Sequence, residues 1–303
     1  MKNFIKNRRV RVVLVVSILL ATTLVFVRFF LTHPEYWATL TGVSVATVGW
    51  IVLLNLVGLT ILVAINACLL RFCGVKLGFL EQFQLTSYSA IANFFGPLQS
   101  GPGVRAVYLK TKYGVRLRDY SLAAALYYAV FAVLSAVLLF GFSQPWWQAL
   151  LLVAAVGAVV VGVIRRYSRG AGSAATGWHF DAAAFGVLVI LTALQLVVIA
   201  LWYFVELKAV APAVTLRQAL IYSGAANFAL FVSLTPDAIG FREAFLIFSA
   251  RLHGLATAAI ISANLLDRAV YAAFLGGVFL VLLVTHATRR FKGFPKPAPA
   301  AQQ

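Results

Sequence analysis

Six long apolar runs limit what this chain can fold into: Val12–Leu31, Ala46–Leu70, Ser121–Phe142, Trp146–Ile164, Ala182–Phe204 and Ile261–Val284. Wound as helices at 1.5 Å per residue, each reaches across a hydrocarbon core of about 30 Å. Composition excludes a water-soluble alternative. With 62% hydrophobic residues, 11% charged residues and a mean hydropathy of +0.94, the chain has too little polar surface to cover such a core. The sequence therefore predicts an all-α polytopic membrane protein.

The charge imbalance is large: 25 Lys and Arg against 8 Asp and Glu, a net +17. Such an excess marks either nucleic-acid binding or the basic bias of cytoplasmic membrane loops. The distribution selects the second, so no nucleic-acid partner is expected. Basic residues cluster at Lys2–Arg11, at Arg71 and Lys76, at Lys110–Arg118, at Arg165–Arg169 and at Arg289–Lys296. With both termini in the cytoplasm, these segments hold 18 basic residues, and the outer ones hold four: Arg28, Lys208, Arg217 and Arg251. Trp37, Trp50, Trp146, Trp147 and Trp202 fall at or near the outer interface, where amphipathic rings settle. The predicted location is the plasma (inner) membrane. Val12–Leu31 reads as an uncleaved first helix, because it spans a bilayer and lacks a small-x-small cleavage site. Phe294–Gln303, rich in Pro and Ala, reads as a disordered cytoplasmic tail; residues 1–290 form one domain and 291–303 the tail. Cys68 and Cys73 fit neither a disulfide framework nor a zinc spacing, and His33, His179, His253 and His286 are scattered near helix ends. No metal or cofactor is expected.

Two stretches are neither simple loops nor plain crossings. Leu80–Val115 and Leu216–Leu255 each start as a semi-polar helix, break at Gly and Pro, and resume as a helix. Reading either as a crossing would reverse the charge asymmetry, whereas a hairpin that enters and leaves on one side preserves it. Broken backbone at membrane depth is tolerated only against protein or a water-filled cavity.

The two stretches also repeat one another. Gln84, Tyr88, Ser89, Ala92, Asn93 and Phe94 match Gln218, Tyr222, Ser223, Ala226, Asn227 and Phe228 at a constant offset of 134. Gly103-Val104-Arg105 matches Gly240-Phe241-Arg242 after a three-residue insertion, and Gly114 pairs with Gly254. Shared polar residues in order argue against coincidence in an apolar chain. Positive-inside counting gives the preceding spans opposite directions, so the halves (about 46–142 and 182–286) form an inverted repeat. The predicted architecture is six transmembrane helices plus two re-entrant broken-helix hairpins. Inverted repeats with broken helices are a transporter design.

Arg105, Arg242 and Arg268 fall at membrane depth, where a charge normally pairs or lines a hydrated path. Arg105 and Arg242 each follow a glycine break (Gly101 and Gly103; Gly240) at the start of a helical piece, where N–H groups and a guanidinium suit a phosphate. The three arginines and three glycines are the expected headgroup site; tying hairpin carbonyls or snorkelling is the bland alternative for Arg105 and Arg242. Glu243 and Asp267 are expected to pair across helices with Arg268 or Arg105, for charge neutralisation or proton coupling. Asn93 and Asn227 are expected to hydrogen-bond the broken backbone, and Pro97 and Pro236 to break the hairpins.

Asn93, Pro97, Gly101, Gly103, Arg105 and Gly114, with Pro236, Gly240, Glu243, Gly254 and Arg268, resemble the flippase-like transmembrane region of lysylphosphatidylglycerol synthases, a family that includes stand-alone members without the synthase domain. The hydropathy pattern covers most of the chain, but the specific motifs occupy two short stretches. The resemblance implies movement of an anionic lipid or lipid-linked headgroup between leaflets, by a stand-alone member with no aminoacyl transfer activity. This chain departs from the family pattern in two ways. Pro102 separates Gly101 from Gly103, and Tyr127 and Tyr128 stand where an offset of 140 sets Asp267 and Arg268. A membrane enzyme acting on a lipid phosphate is the first alternative, but its usual Asp-x-x-Asp pair is missing from the sequence. An accessory subunit serving a partner enzyme of envelope lipid or polysaccharide biosynthesis is the second.

Overall fold

The computed structural model describes residues 41–96, 100–142, 179–232 and 241–291, with isolated positions within 28–32 and 147–162 and at Ala238. The expected spans Val12–Leu31 and Trp146–Ile164 lie almost wholly outside the described residues. So do the hairpin tips carrying Pro97, Pro236 and Gly240, and the tail beyond Phe291. Every regular element among the described residues is a helix: α1 (Val45–Phe72), α2 (Phe79–Phe95), α3 (Ser100–Tyr113), α4 (Leu117–Gly141), α5 (Ala182–Val210), α6 (Leu216–Val232), α7 (Phe241–Phe248), α8 (Ala250–His253) and α9 (Thr257–Phe291).

Four helices are long and apolar enough to cross a membrane: α1, α4, α5 and the Thr257–Thr285 part of α9. Their outer faces are as apolar as their inner ones. Ile190 is 67% exposed and Leu280 62%, whereas Leu188 and Leu275 on the same helices are buried. A helix that is apolar all round is covered either by protein or by lipid. Together these helices describe a membrane-embedded protein. Two starts are capped in sequence: Ser44 Oγ accepts from the Thr47 N–H at 3.1 Å, and Asp181 Oδ1 accepts from the Ala183 N–H at 2.9 Å.

The pattern long, short, short, long occurs twice. Helices of 28, 17, 14 and 25 residues are followed by helices of 29, 17, 8 and 4, and 35. The return limb of the second hairpin is thus split at Ser249 into two pieces, where the sequence predicted one. Gly114 and Gly254 close the two return limbs with the same left-handed backbone, φ +69°, which glycine adopts without a Cβ clash.

Packing between the halves is reciprocal. Helix α1 packs on α5, α4 packs on α6 as α9 packs on α2, and α9 packs on α1 as α4 does on α5. Helices α1 and α5 run antiparallel, because the C-terminal end of one meets the N-terminal end of the other. The Cys68 thiol donates to the Ala184 carbonyl at 3.0 Å, and the Phe72 carbonyl accepts from the His179 N–H at 3.0 Å. At their opposite ends, Ile51 packs in one cluster with Trp202 and Val205.

Small residues set the close crossings. A Cβ on Gly224 of α6 would lie 2.5 Å from the Leu139 nitrogen and 2.8 Å from its Cα, so α6 can lie directly on the α4 backbone only with glycine there. A Cβ on Gly101 of α3 would lie 2.6 Å from the Ser89 carbonyl oxygen of α2. The first hairpin is therefore closed at its tip end by backbone proximity.

Candidate functional site

In the first hairpin, α2 and α3 run antiparallel and zip together through hydroxyls. Ser100 Oγ donates to the Ala92 carbonyl at 2.5 Å, and Ser89 Oγ donates to the Gly101 carbonyl at 2.6 Å. That Ser89 oxygen also accepts from Arg105 Nε at 2.7 Å. Ser89 thus fixes the guanidinium by one edge. The two terminal nitrogens of Arg105 have no partner among the described residues. Arg105 lies near enough to Tyr120 and Tyr128 of α4 for its charge to act on both hydroxyls. Tyr120 is 3% exposed and its hydroxyl has no partner. The open edge of the guanidinium and, within electrostatic range of it, an unsatisfied buried hydroxyl are both donors suited to an oxyanion. Gly101 is buried against α2, while Gly103 faces open space.

At its open end the first hairpin is held by one oxygen. Glu81 Oε1 accepts from Tyr108 Oη at 2.5 Å, Tyr113 Oη at 2.6 Å and Lys112 Nζ at 2.8 Å. Burial opposes ionisation of Glu81, but the three donors outweigh it and hold the carboxyl below its usual range. The Lys112 ammonium is shifted up, first by its bond to Glu81 and then by its bond to Tyr108.

Arg242, which matches Arg105 in the second half, sits in a buried charge network. Arg242 and Glu243 of α7 cross-pair with Asp267 and Arg268 of α9. Arg242 Nη2 bonds Asp267 Oδ2, and Arg268 Nη2 lies 2.8 Å from Glu243 Oε1. Neighbours in a helix diverge by about 100°, which is why each adjacent pair reaches a partner on the other helix and not itself. Asn264 adds a bridge: its Oδ1 accepts from Arg242 Nε at 2.6 Å, and its Nδ2 donates to Tyr222 Oη at 2.8 Å. The Tyr203 ring lies 5.9 Å from the Arg242 guanidinium carbon, a cation–π contact.

The Glu243–Arg268 pair is one of the two pairings the sequence left open for Glu243. Asp267 joins Arg242, where Arg268 or Arg105 was expected. Arg242 and Arg268 are thus both engaged by carboxylates in this conformation, whereas Arg105 touches none among the described residues. Asn93 Oδ1 and Asn227 Nδ2 are buried with no hydrogen-bond partner, so the expected bonds to broken backbone are not made by those atoms.

Three side chains of this region were not singled out in the sequence. Tyr120 and Asn264 carry no sequence signal, because a Tyr and an Asn in a span are ordinary. Glu206 does carry one. It is a lone carboxylate on an apolar helix, but a span ending at Phe204 places it outside; α5 continues to Val210 and buries Glu206 completely. Its Oε1 accepts from the Trp202 indole N–H at 2.5 Å.

Among the described residues no three His, Cys, Asp or Glu side chains converge on a point a metal ion could occupy. The chain matches no protein-family model and no curated protein.

Proposed function

We propose that this protein is a flippase-like translocator that moves an anionic lipid, or a lipid-linked anionic headgroup, between leaflets of the plasma membrane. The observation that carries the reading is Arg105: a guanidinium held by one edge, its other edge open, within electrostatic range of the unsatisfied Tyr120 hydroxyl. Phosphate oxygens would satisfy both groups at once, while acyl or prenyl tails stay in lipid. In this reading the headgroup first meets Arg105, with Gly101 and Gly103 letting the backbone approach. Arg242 and Arg268 accept it only after their carboxylates let go.

The antiparallel pairing of α1 and α5 and the reciprocal packing of the halves support an inverted repeat. So does the sequence match at an offset of 134. We take the two broken hairpins as re-entrant, the first opening to the cytoplasm and the second to the exterior, with both termini cytoplasmic. The resemblance to the transmembrane region of lysylphosphatidylglycerol synthases fits that reading. Exchange of access between two such halves needs no cofactor and no bond chemistry.

The test is reconstitution of the full chain into liposomes with tail-labelled phosphatidylglycerol, followed by quenching of the outer leaflet. Wild-type protein should speed equilibration between leaflets. Arg105→Ala should lower the rate by about tenfold or more, as expected for losing a charged hydrogen bond, and Tyr120→Phe by less. Equal rates with wild-type protein and with empty liposomes, or an Arg105→Ala rate equal to wild type, would contradict the proposal.

A further inference from the structure

The buried network of the second half holds more carboxyl groups than cations. Among the described residues it contains Arg242 and Arg268 against Glu206, Glu243 and Asp267. The two cross-pairs use one carboxylate each, which leaves Glu206. That side chain is 0% exposed and receives a single hydrogen bond, from Trp202. Its second oxygen, Oε2, has no partner, and neither has Asp267 Oδ1. The two groups are close enough to act on each other electrically. Two ionised carboxylates are acceptors only, so neither oxygen could satisfy the other. One added proton turns one of them into a donor.

Energy points the same way. Ionising Glu206, which is fully buried, would add a third negative charge beside the buried Arg242–Asp267 pair, a desolvation cost that a single indole N–H does not offset. Among the described residues, the groups around it offer no further cation. Tyr203 shares its helix, Tyr222 faces it from α6, Arg242 from α7 and Asp267 from α9, while the Glu243–Arg268 pair joins the same two helices, α7 and α9. Helix α1 carries no ionisable side chain before Cys68, and α4 carries none after Tyr128.

We infer that Glu206 is a proton-binding site: it is a neutral carboxylic acid while α7 is docked on α9 through Arg242, and it exchanges that proton with water when the two part. Release leaves a carboxylate that competes with Asp267 for the Arg242 guanidinium. α7 is the element this competition would move, because it is only eight residues long and its Arg242 is bonded to α9 through Asn264 and Asp267. The inference goes beyond lipid translocation and does not require it.

Infrared spectroscopy of the full-length protein in liposomes, titrated from acid to alkaline pH, tests it directly. At neutral pH a protonated-carboxyl C=O band should be present and should shift in deuterium oxide. Glu206→Gln should remove the band and Glu243→Gln should leave it. Trp202→Phe, which keeps the carboxyl and loses its donor, should move the band without removing it. The same titration read by tryptophan fluorescence should show a transition that disappears in Trp202→Phe and in Glu206→Gln. A wild-type spectrum with no protonated-carboxyl band at neutral pH would overturn the assignment, and so would a band that survives unchanged in Glu206→Gln.

Discussion

Glu81 closes the open end of the first hairpin with one oxygen, and its chemistry is open to test. The depressed carboxyl contributes stability that is fully present above the ordinary value of about 4.3 and is lost as pH falls below it through the folded value. The distance between spin labels at the open ends of α2 and α3 should therefore broaden in acid below about pH 4, and Glu81→Gln should show the broader distribution already at neutral pH. A Glu81→Gln protein with the wild-type distribution throughout would show that the three donors do not hold the hairpin. Cys73, just past the end of α1, has its thiol pushed up to about 12 by burial and by the charge of Asp119. At pH ~8 it should carry on the order of a thousandfold less thiolate than a free cysteine of pKa ~8.5, so alkylation should be correspondingly slow until the protein is unfolded. Glu81 sits outside every apolar run, and nothing in its neighbours hinted at three donors from residues 27 to 32 positions away. Glu206 was visible but misplaced, because hydropathy falls at Trp202–Glu206 while the helix does not end there. Sequence located the charges of the second half and held one of its two ion pairs among the alternatives for Glu243. It could not find the other, since pairing across helices depends on which way each side chain leaves its axis.

At the scale of elements, the repeat was legible and its geometry was not. Gln84 is the sixth residue of α2, whereas its match Gln218 is the third of α6, although both helices have 17 residues. The second ascending helix starts three residues later relative to the motif and runs three further. The three-residue insertion before Gly240 is therefore absorbed as helix. Gly224 was not legible either: nothing in sequence distinguishes a glycine under a crossing helix from one facing lipid. Gly224→Val should destabilise the α4–α6 contact by about 1–3 kcal/mol, seen as a lower midpoint in thermal unfolding. The same change at Gly49, whose Cβ would meet nothing within 4 Å, should be close to neutral. His253 adds a pH-dependent contact at the end of the second return limb. Its Nε2 donates to the Leu246 carbonyl at 3.1 Å and its Nδ1 accepts from the Leu255 N–H at 3.2 Å, which fixes one neutral tautomer. Burial lowers its pKa against the opposing pull of the Leu246 bond. The stability it contributes is complete above the usual value of about 6.5 and is lost as pH falls through the lower folded value. Relative to an unstructured peptide at the same pH, amide exchange in α8 should rise on acidification below about pH 6.5, and this rise should be absent in His253→Gln.

At the scale of the molecule, membrane character and the four described spans followed from hydropathy, with ends within four residues except for α5, which runs six residues past its predicted end. The reason is that lipid rewards long apolar helices whatever their sequence detail. The relation between halves needed contacts: only the meeting of Cys68 with Ala184 and of Ile51 with Trp202 and Val205 shows that α1 and α5 run in opposite directions. Everything proposed about translocation depends on the hairpins opening to opposite sides. The most direct measurement uses sealed vesicles of known orientation and a chain with Cys68 and Cys73 replaced by Ala. Single cysteines go to exposed positions at the two hairpin mouths, Thr111 in the last turn of α3 and Ala213 just before α6. An impermeant maleimide should label Thr111→Cys only from the cytoplasmic side and Ala213→Cys only from the outer side. Labelling of both from one side would contradict the inverted arrangement and the alternating path built on it.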